Sequence, residues 1–166
     1  TNLERNLYLV TQILELGIPM ILALNMVDAA EAKGIRIDVA KLSERFSCPV
    51  IPMVASTKKG LIELKVAMSR PDLPLPKPFL DAIPIAIRGA LVRCREMLAN
   101  DNVVSKTASL LEPLYLVSDH DPTHYGIAAP HVAQVARARE QLEREIPGWE
   151  DQIIAARYDV IHAACA

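Results

Sequence analysis

The sequence predicts an α/β segment followed by an all-α segment, and three observations carry that reading. Two short apolar runs, Pro19 to Leu24 and Pro49 to Val54, lack the polar alternation of half-buried strands and are separated by amphipathic helical patterns, as expected when helices cover both faces of a parallel sheet. The stretch Arg70 to Pro78 carries four prolines in nine residues and cannot continue a helix. Beyond it the strand signals vanish, and apolar residues recur only at helical spacing.

Leu3, Leu7, Val10 and Leu14 form the stripe of a first helix, with Ile13 and Leu16 widening it. Thr1-Asn2-Leu3-Glu4 fits a capping box at its start, and Gly17 suits a left-handed stop at its end. The first strand, Pro19 to Leu24, leads into a helical turn from Met26 to Lys33 that stops at Gly34. Asp38 is placed to cap a helix that turns Val39, Leu42 and Phe46 inward. The second strand follows at Pro49 to Val54, and after Gly60 the residues Leu61, Leu64 and Met68 mark another helix. This order implies parallel strands joined by crossovers. The reading divides the chain into residues 1–70, an extended connector at 71–78, and a helical bundle at 79–166. In the bundle, Ile83, Ile87, Leu91, Cys94 and Leu98 share one face. Leu110, Leu111, Leu114 and Val117 mark a helix that Pro113 bends or starts. Pro130 opens a long one carrying Val132, Val135, Leu142 and Ile146, and Trp149, Ile153, Ala156, Val160 and Ala164 supply the last.

A chain of 166 residues, 51% hydrophobic and 23% charged, has the material for a packed core. Its net charge of −2 and the lack of any basic run give no electrostatic case for nucleic acid. Cys48, Cys94 and Cys165 lie far apart with no zinc-ligand spacing, and read as reduced, mostly buried thiols of a cytosolic protein. The apolar runs fall short of the roughly 20 residues that span a bilayer. With no initiating Met and no signal peptide, the expectation is a piece of a longer protein.

The chemistry centres on Asn25 and Asp28, three apart where the first strand ends, the place where doubly wound sheets bind ligands. A carboxylate accepts two parallel hydrogen bonds, and guanine presents N1–H and N2–H₂ side by side where adenine does not. Two readings are open: Asp28 reads the edge of a purine while Asn25 donates its side-chain amide to N7 or to a neighbouring loop, or Asp28 caps the following turn and Asn25 only closes the strand. The second strand ends in a matching loop, Met53 to Gly60, whose backbone N–H groups suit a purine O6. Elsewhere, Asp119, His120, Asp121 and His124 offer carboxylates and imidazoles, but in a spacing that reads first as turn chemistry ahead of a helix. His131 reads as a first-turn surface residue and His162 as a helix-face residue. The charges from Arg137 to Glu145 read as a solvated face with local ion pairs, with a partner surface as the alternative. Cys48 before Pro49 reads as core, and no nucleophile–base arrangement is defensible.

The run from Thr1 to Lys65 resembles the guanine-nucleotide domain of the bacterial ferrous iron transport protein B family, through "NLERNLYL", "ALNMVD" and "CPVIP"; "IIAARYDVI" resembles the end of that family's helical domain. The resemblance implies a partial P-loop-GTPase-like parallel sheet joined to a small helical regulatory bundle. It makes Asn25 and Asp28 the guanine contacts, lays Met26 against the base plane, and gives Ala55 the backbone N–H for O6, flanked by Val54 and Ser56. Val54 stands where a bracing Ser is common, which implies a weaker hold on the base. Nothing in the chain fits G-x-x-x-x-G-K-[ST], the switch Thr or D-x-x-G. Catalytic residues and metal ligands are therefore expected to be absent, with Mg²⁺ belonging to the parent and no GTP hydrolysis by this chain alone. The implied role is a cytosolic fragment of a ferrous iron transporter, at the inner face of the bacterial membrane, coupling GTP/GDP binding to Fe²⁺ uptake. The implied partners are guanine nucleotide, the missing first part of the nucleotide domain and the membrane-spanning part, with a homo-oligomer left open. The competing reading is a nucleotide-free helical interaction module.

Overall fold

Two strands, β1 (Leu22–Asn25) and β2 (Val50–Met53), pair in parallel in the computed structural model, which describes residues 2–76 and 79–165. Leu22 stands opposite Val50 and Asn25 opposite Met53. Both strands are shorter than the apolar runs that predict them: β1 begins three residues after Pro19, and β2 begins just after Pro49, which has no N–H to give a ladder. The end shifts as well, so that Asn25 is itself the last residue of β1.

Helix α1 (Asn2–Leu14) leads into the sheet. Its last turn is closed by Gly17, at φ +66°, which donates its N–H to Leu14 O at 3.1 Å. The capping box rests on Thr1, which lies outside the described residues. Helix α2 (Val27–Ala32) ends ahead of Gly34 at φ +72°. Helix α3 (Val39–Phe46) begins as the sequence predicts, with Asp38 Oδ1 accepting from Lys41 N–H at 2.9 Å. Helix α4 (Leu61–Met68) follows β2, with Ala67 as its buried residue and Met68 exposed. Leu7, Val10 and Leu14 of α1, Leu24 and Val50 of the sheet, Leu42 and Phe46 of α3, and Cys48 form one core with Ile161 and Ala164.

The chain divides into two compact units, residues 1–79 with 157–166, and residues 80–156. In the second, α5 (Ile85–Asn100), α6 (Leu111–Ser118) and α7 (Ala129–Glu145) pack on one another, and α8 (Trp149–Cys165) begins there before its last residues join the first unit. The sequence division had left residues 157–166 with the bundle. Pro113 and Pro130 both sit in first turns, where no N–H is needed. Ile83, Ile87, Leu91, Cys94 and Leu98 are all buried, and burial pushes the Cys94 thiol up to about 11.

Three side-chain environments stand out. Cys48 and Cys94 are buried and Cys165 is exposed, in keeping with the reading of mostly buried thiols. The Arg137 to Glu145 face is not held by local pairs alone: Glu145 bonds Arg93 of α5, and Arg139 donates to the carbonyls of Val117 and Asp119. Arg157, unremarked in the sequence, is 4% exposed. Its guanidinium is 2.6 Å from Glu15 Oε1, 3.3 Å from Thr11 Oγ1 and 4.2 Å from the centroid of the Phe79 ring.

A buried charge stripped of its partner is costly, whereas apolar replacement of both is tolerated. Glu15→Ala is therefore expected to lower stability by about 3–5 kcal/mol in urea unfolding, and the double change Glu15→Leu with Arg157→Met to recover most of it. Equal loss in the single and double variants would show that the pair is not what holds this position.

Candidate functional site

The two strand-end loops meet through one hydrogen bond. Ala55 donates its N–H to Asn25 Oδ1 at 3.0 Å, across thirty positions of sequence. The parallel register makes this contact available, since Asn25 and Met53 end their strands at the same level and each loop starts there. On the β1 side the chain turns at once. Met26 adopts φ +64°, ψ +34°, a left-handed conformation that costs a side-chain-bearing residue roughly 1–2 kcal/mol. Its carbonyl then accepts from Ala29 and Ala30, opening α2.

Asp28 lies in the first turn of α2 and is exposed. No side-chain bond caps that helix, so the capping role that competed for Asp28 is not what the side chain does here. Met26 is exposed beside it, as are Asn25, Ala55 and Ser56, while Val54 is buried.

The β2 loop is braced without the hydroxyl that Val54 lacks. Thr57 supplies it from the other side, donating Oγ1–H to Val54 O at 3.2 Å. Val54 N–H bonds Lys59 O at 3.1 Å, and Lys58 N–H bonds Ala55 O at 3.2 Å, so residues 54–59 close on themselves. Gly60 makes the closure possible: at φ +82°, a Cβ there would lie 2.3 Å from Pro52 O. The sequence reading noted Gly60 only as a helix start and did not single out Thr57; a Thr three residues after a strand end was the available signal.

One difference from expectation is chemical. The Ala55 N–H assigned by resemblance to guanine O6 is already engaged by Asn25, and it is the carbonyl rather than the amide end of Asn25 that reaches the neighbouring loop. The amide end is left to donate. Ser56 N–H precedes the first internal bond of its turn and has no acceptor among the described residues.

A groove of about 260 Å³ runs nearby, between Val27, Ile35, Ile37 and Pro52, with Glu31, Arg36 and Lys59 at its rim. It is lined by none of the six residues of the predicted site. In the second unit the Asp119–His124 loop is turn chemistry. Asp119 Oδ1 accepts from Asp121 N–H at 2.9 Å, and Asp121 binds both the N–H and the hydroxyl of Thr123, which holds its carboxyl below the usual range. No group of three or more metal-ligating side chains converges among the described residues.

Comparison with known proteins sets this arrangement in a class. The fold is shared with nucleotide-binding cytosolic domains of iron transporters. The cytosolic domain of Legionella pneumophila FeoB superposes with a TM-score of 0.72 at 27% identity, over 98% of this chain and 61% of that one. NFeoB from S. thermophilus bound to GDP.AlF4⁻ and K⁺ gives 0.70 at 27% identity, over 99% and 65%, and a variant bound to GMPPNP gives 0.70 at 26%. The family whose model matches, over residues 1–68, is ferrous iron transport protein B. The Fe(2+) transporter FeoB of Salmonella typhimurium and that of Escherichia coli K12 are each 57% identical over 70 residues, 42% of this chain. The chain spans 9% of the length of those two curated relatives. No helix among the described residues is long and apolar enough to cross a membrane.

Gly60→Ala is expected to destabilise the first unit by about 2 kcal/mol or more, the sum of a left-handed Cβ and a collision with backbone. Urea unfolding measures it, with faster exchange of the Val54 amide as the local sign. An unchanged midpoint would contradict the close approach to Pro52.

Proposed function

We propose that residues 1–70 are the base-recognising half of a guanine-nucleotide domain and that the helices after them form its regulatory bundle. The observation that carries this is the bond from Ala55 N–H to Asn25 Oδ1, which ties two strand-end loops together beside an exposed Asp28 that caps nothing. Asp28 accepts N1–H and N2–H₂ of guanine, and the free amide end of Asn25 donates to N7. Met26 lies against one face of the base. With Ala55 occupied, Ser56 N–H is the donor to O6. A site built to hydrogen-bond the guanine edge rejects an analogue lacking those groups by roughly 10⁴, which suits discrimination of GDP and GTP from adenine nucleotides.

The parent protein, in this reading, hydrolyses GTP with Mg²⁺ at the cytoplasmic face of a membrane and couples that to Fe²⁺ uptake through a membrane-spanning part. The similarity to ferrous iron transport protein B and to GDP- and GMPPNP-bound relatives supports it. This chain contributes the base contacts, and its sequence contains no phosphate-binding loop or metal-contact motif. No release of phosphate from GTP above a buffer blank is expected from it alone.

The test of the base site is Asp28→Asn in a polypeptide that also carries the phosphate-binding half. Fluorescent GDP and xanthosine diphosphate titrations are expected to show preference moving from guanine to xanthine, because a donor amide then faces the purine 2-carbonyl. Retained guanine preference would remove Asp28 from the site.

A further inference from the structure

Helix α2 closes in a way that leaves a gap beside it. Gly34 donates its N–H to Glu31 O and Ile35 donates its N–H to Ala30 O, each at 2.9 Å, the two bonds of a helix end that turns through a left-handed glycine. In such an ending the apolar residue after the glycine packs on a side chain of the last turn. Here that partner is Ala30, too small to cover Ile35, which stays 52% exposed. The uncovered space is the groove of about 260 Å³, whose apolar lining includes Val27, Ala30, Ile35, Ile37 and Pro52.

Glu31, Arg36 and Lys59 line it as well. All three are exposed, and none has an ion pair or a side-chain hydrogen bond among the described residues. Two cations against one carboxylate make the groove positive in a chain whose net charge is −2. Its size and its edge narrow the occupant. Pockets that enclose a drug-sized molecule measure roughly 300–1,000 Å³, so this one lacks the room for a nucleotide or an organic cofactor and suits one large side chain. Strand addition fails at Pro52. Leu22 N–H bonds Pro49 O, so alternation along β2 turns Ile51 and Met53 toward β1 and Pro52 away from it, with no N–H to offer. What fits is an apolar anchor delivered from a partner's surface into a pocket with a charged rim.

We propose that this groove is a docking site for an acidic peptide segment of a partner protein. One apolar side chain of the segment packs against Ile35, Ile37 and Pro52, and carboxylates beside it meet Arg36 and Lys59. Arg36 brings a planar fork that can hold a carboxylate through two bonds, and Lys59 a mobile point charge. Glu31 repels one end of such a segment and so sets its direction. The docking does not depend on whether Asp28 touches a purine, so either idea can fail without the other.

The test is a titration of the full chain, without nucleotide, by three labelled peptides: Asp-Asp-Trp-Glu-Glu, Lys-Lys-Trp-Lys-Lys and Asp-Asp-Gly-Glu-Glu. The first is expected to bind, with methyl NMR shifts at Ile35 and Ile37, and the other two to bind at least about tenfold more weakly. The double change Arg36→Glu with Lys59→Glu, at two exposed positions, is expected to leave circular dichroism unaltered, to weaken the acidic peptide about tenfold and to strengthen the basic one. Ile35→Gln is expected to weaken the acidic peptide about tenfold by removing the apolar contact. Equal binding of the acidic and basic peptides, shifts confined to other methyls, or no binding at millimolar peptide overturns the proposal. Shifts at Ile35 that grow with chain concentration and no peptide assign the groove to a second copy, and overturn it. Sedimentation with phosphatidylglycerol vesicles, lost in the double variant while the peptides do not bind, assigns it to a membrane surface and overturns it too.

Discussion

The side-chain carbonyl of Asn25 and the backbone N–H of Ala55, 3.0 Å apart, join two loops that are thirty residues distant in sequence. Without that bond each loop would be an isolated strand end, and Asp28 would be one exposed carboxylate among many. The bond requires that β1 and β2 pair in one register, because a slip by one residue would turn Asn25 to the other face. Register in turn follows from burial of Leu24 and Val50 against α1 and α3. The contact between the two loops is thus a consequence of how the apolar core locks two short strands.

Both strand-end loops carry backbone strain, as do Ser47 and Asn102 elsewhere. Met26 and Lys58 are both left-handed without being glycine, one in each loop, and Gly60 holds a position that only a missing Cβ allows. Left-handed residues of this kind cost roughly 1–2 kcal/mol each and persist only when their surroundings over-determine them. Here the surroundings are the closed ladder of residues 54–59 and the Asn25 bond itself.

What the sequence disclosed was local. Asp38 as a cap, Gly17 as a helix stop and Pro130 in a first turn are each decided within a few residues, and each forms as read. The apolar runs announced a parallel pair but not its length, because a run of apolar residues does not say where hydrogen bonding begins. The charged groups were the poorly legible part. Arg157 with Glu15, and Arg93 with Glu145, pair across 142 and 52 positions respectively, and no spacing rule reaches that far. At the strand end, the place of Asn25 was legible from the sequence, and its bond to the second loop follows from that place. The direction of the Asn25 amide was not, since either end of the group can face a loop and only the partner N–H decides it.

The most direct measure of this account is the exchange rate of the Ala55 amide in the native chain and in Asn25→Ala. If Asn25 holds the loops together, removing its carbonyl frees that N–H, and exchange at Ala55 speeds by about tenfold while amides in α5 and α7 keep their rates. Equal rates at Ala55 in the two proteins would mean that the loops stand beside each other unaided, and Asn25 would not be what joins them.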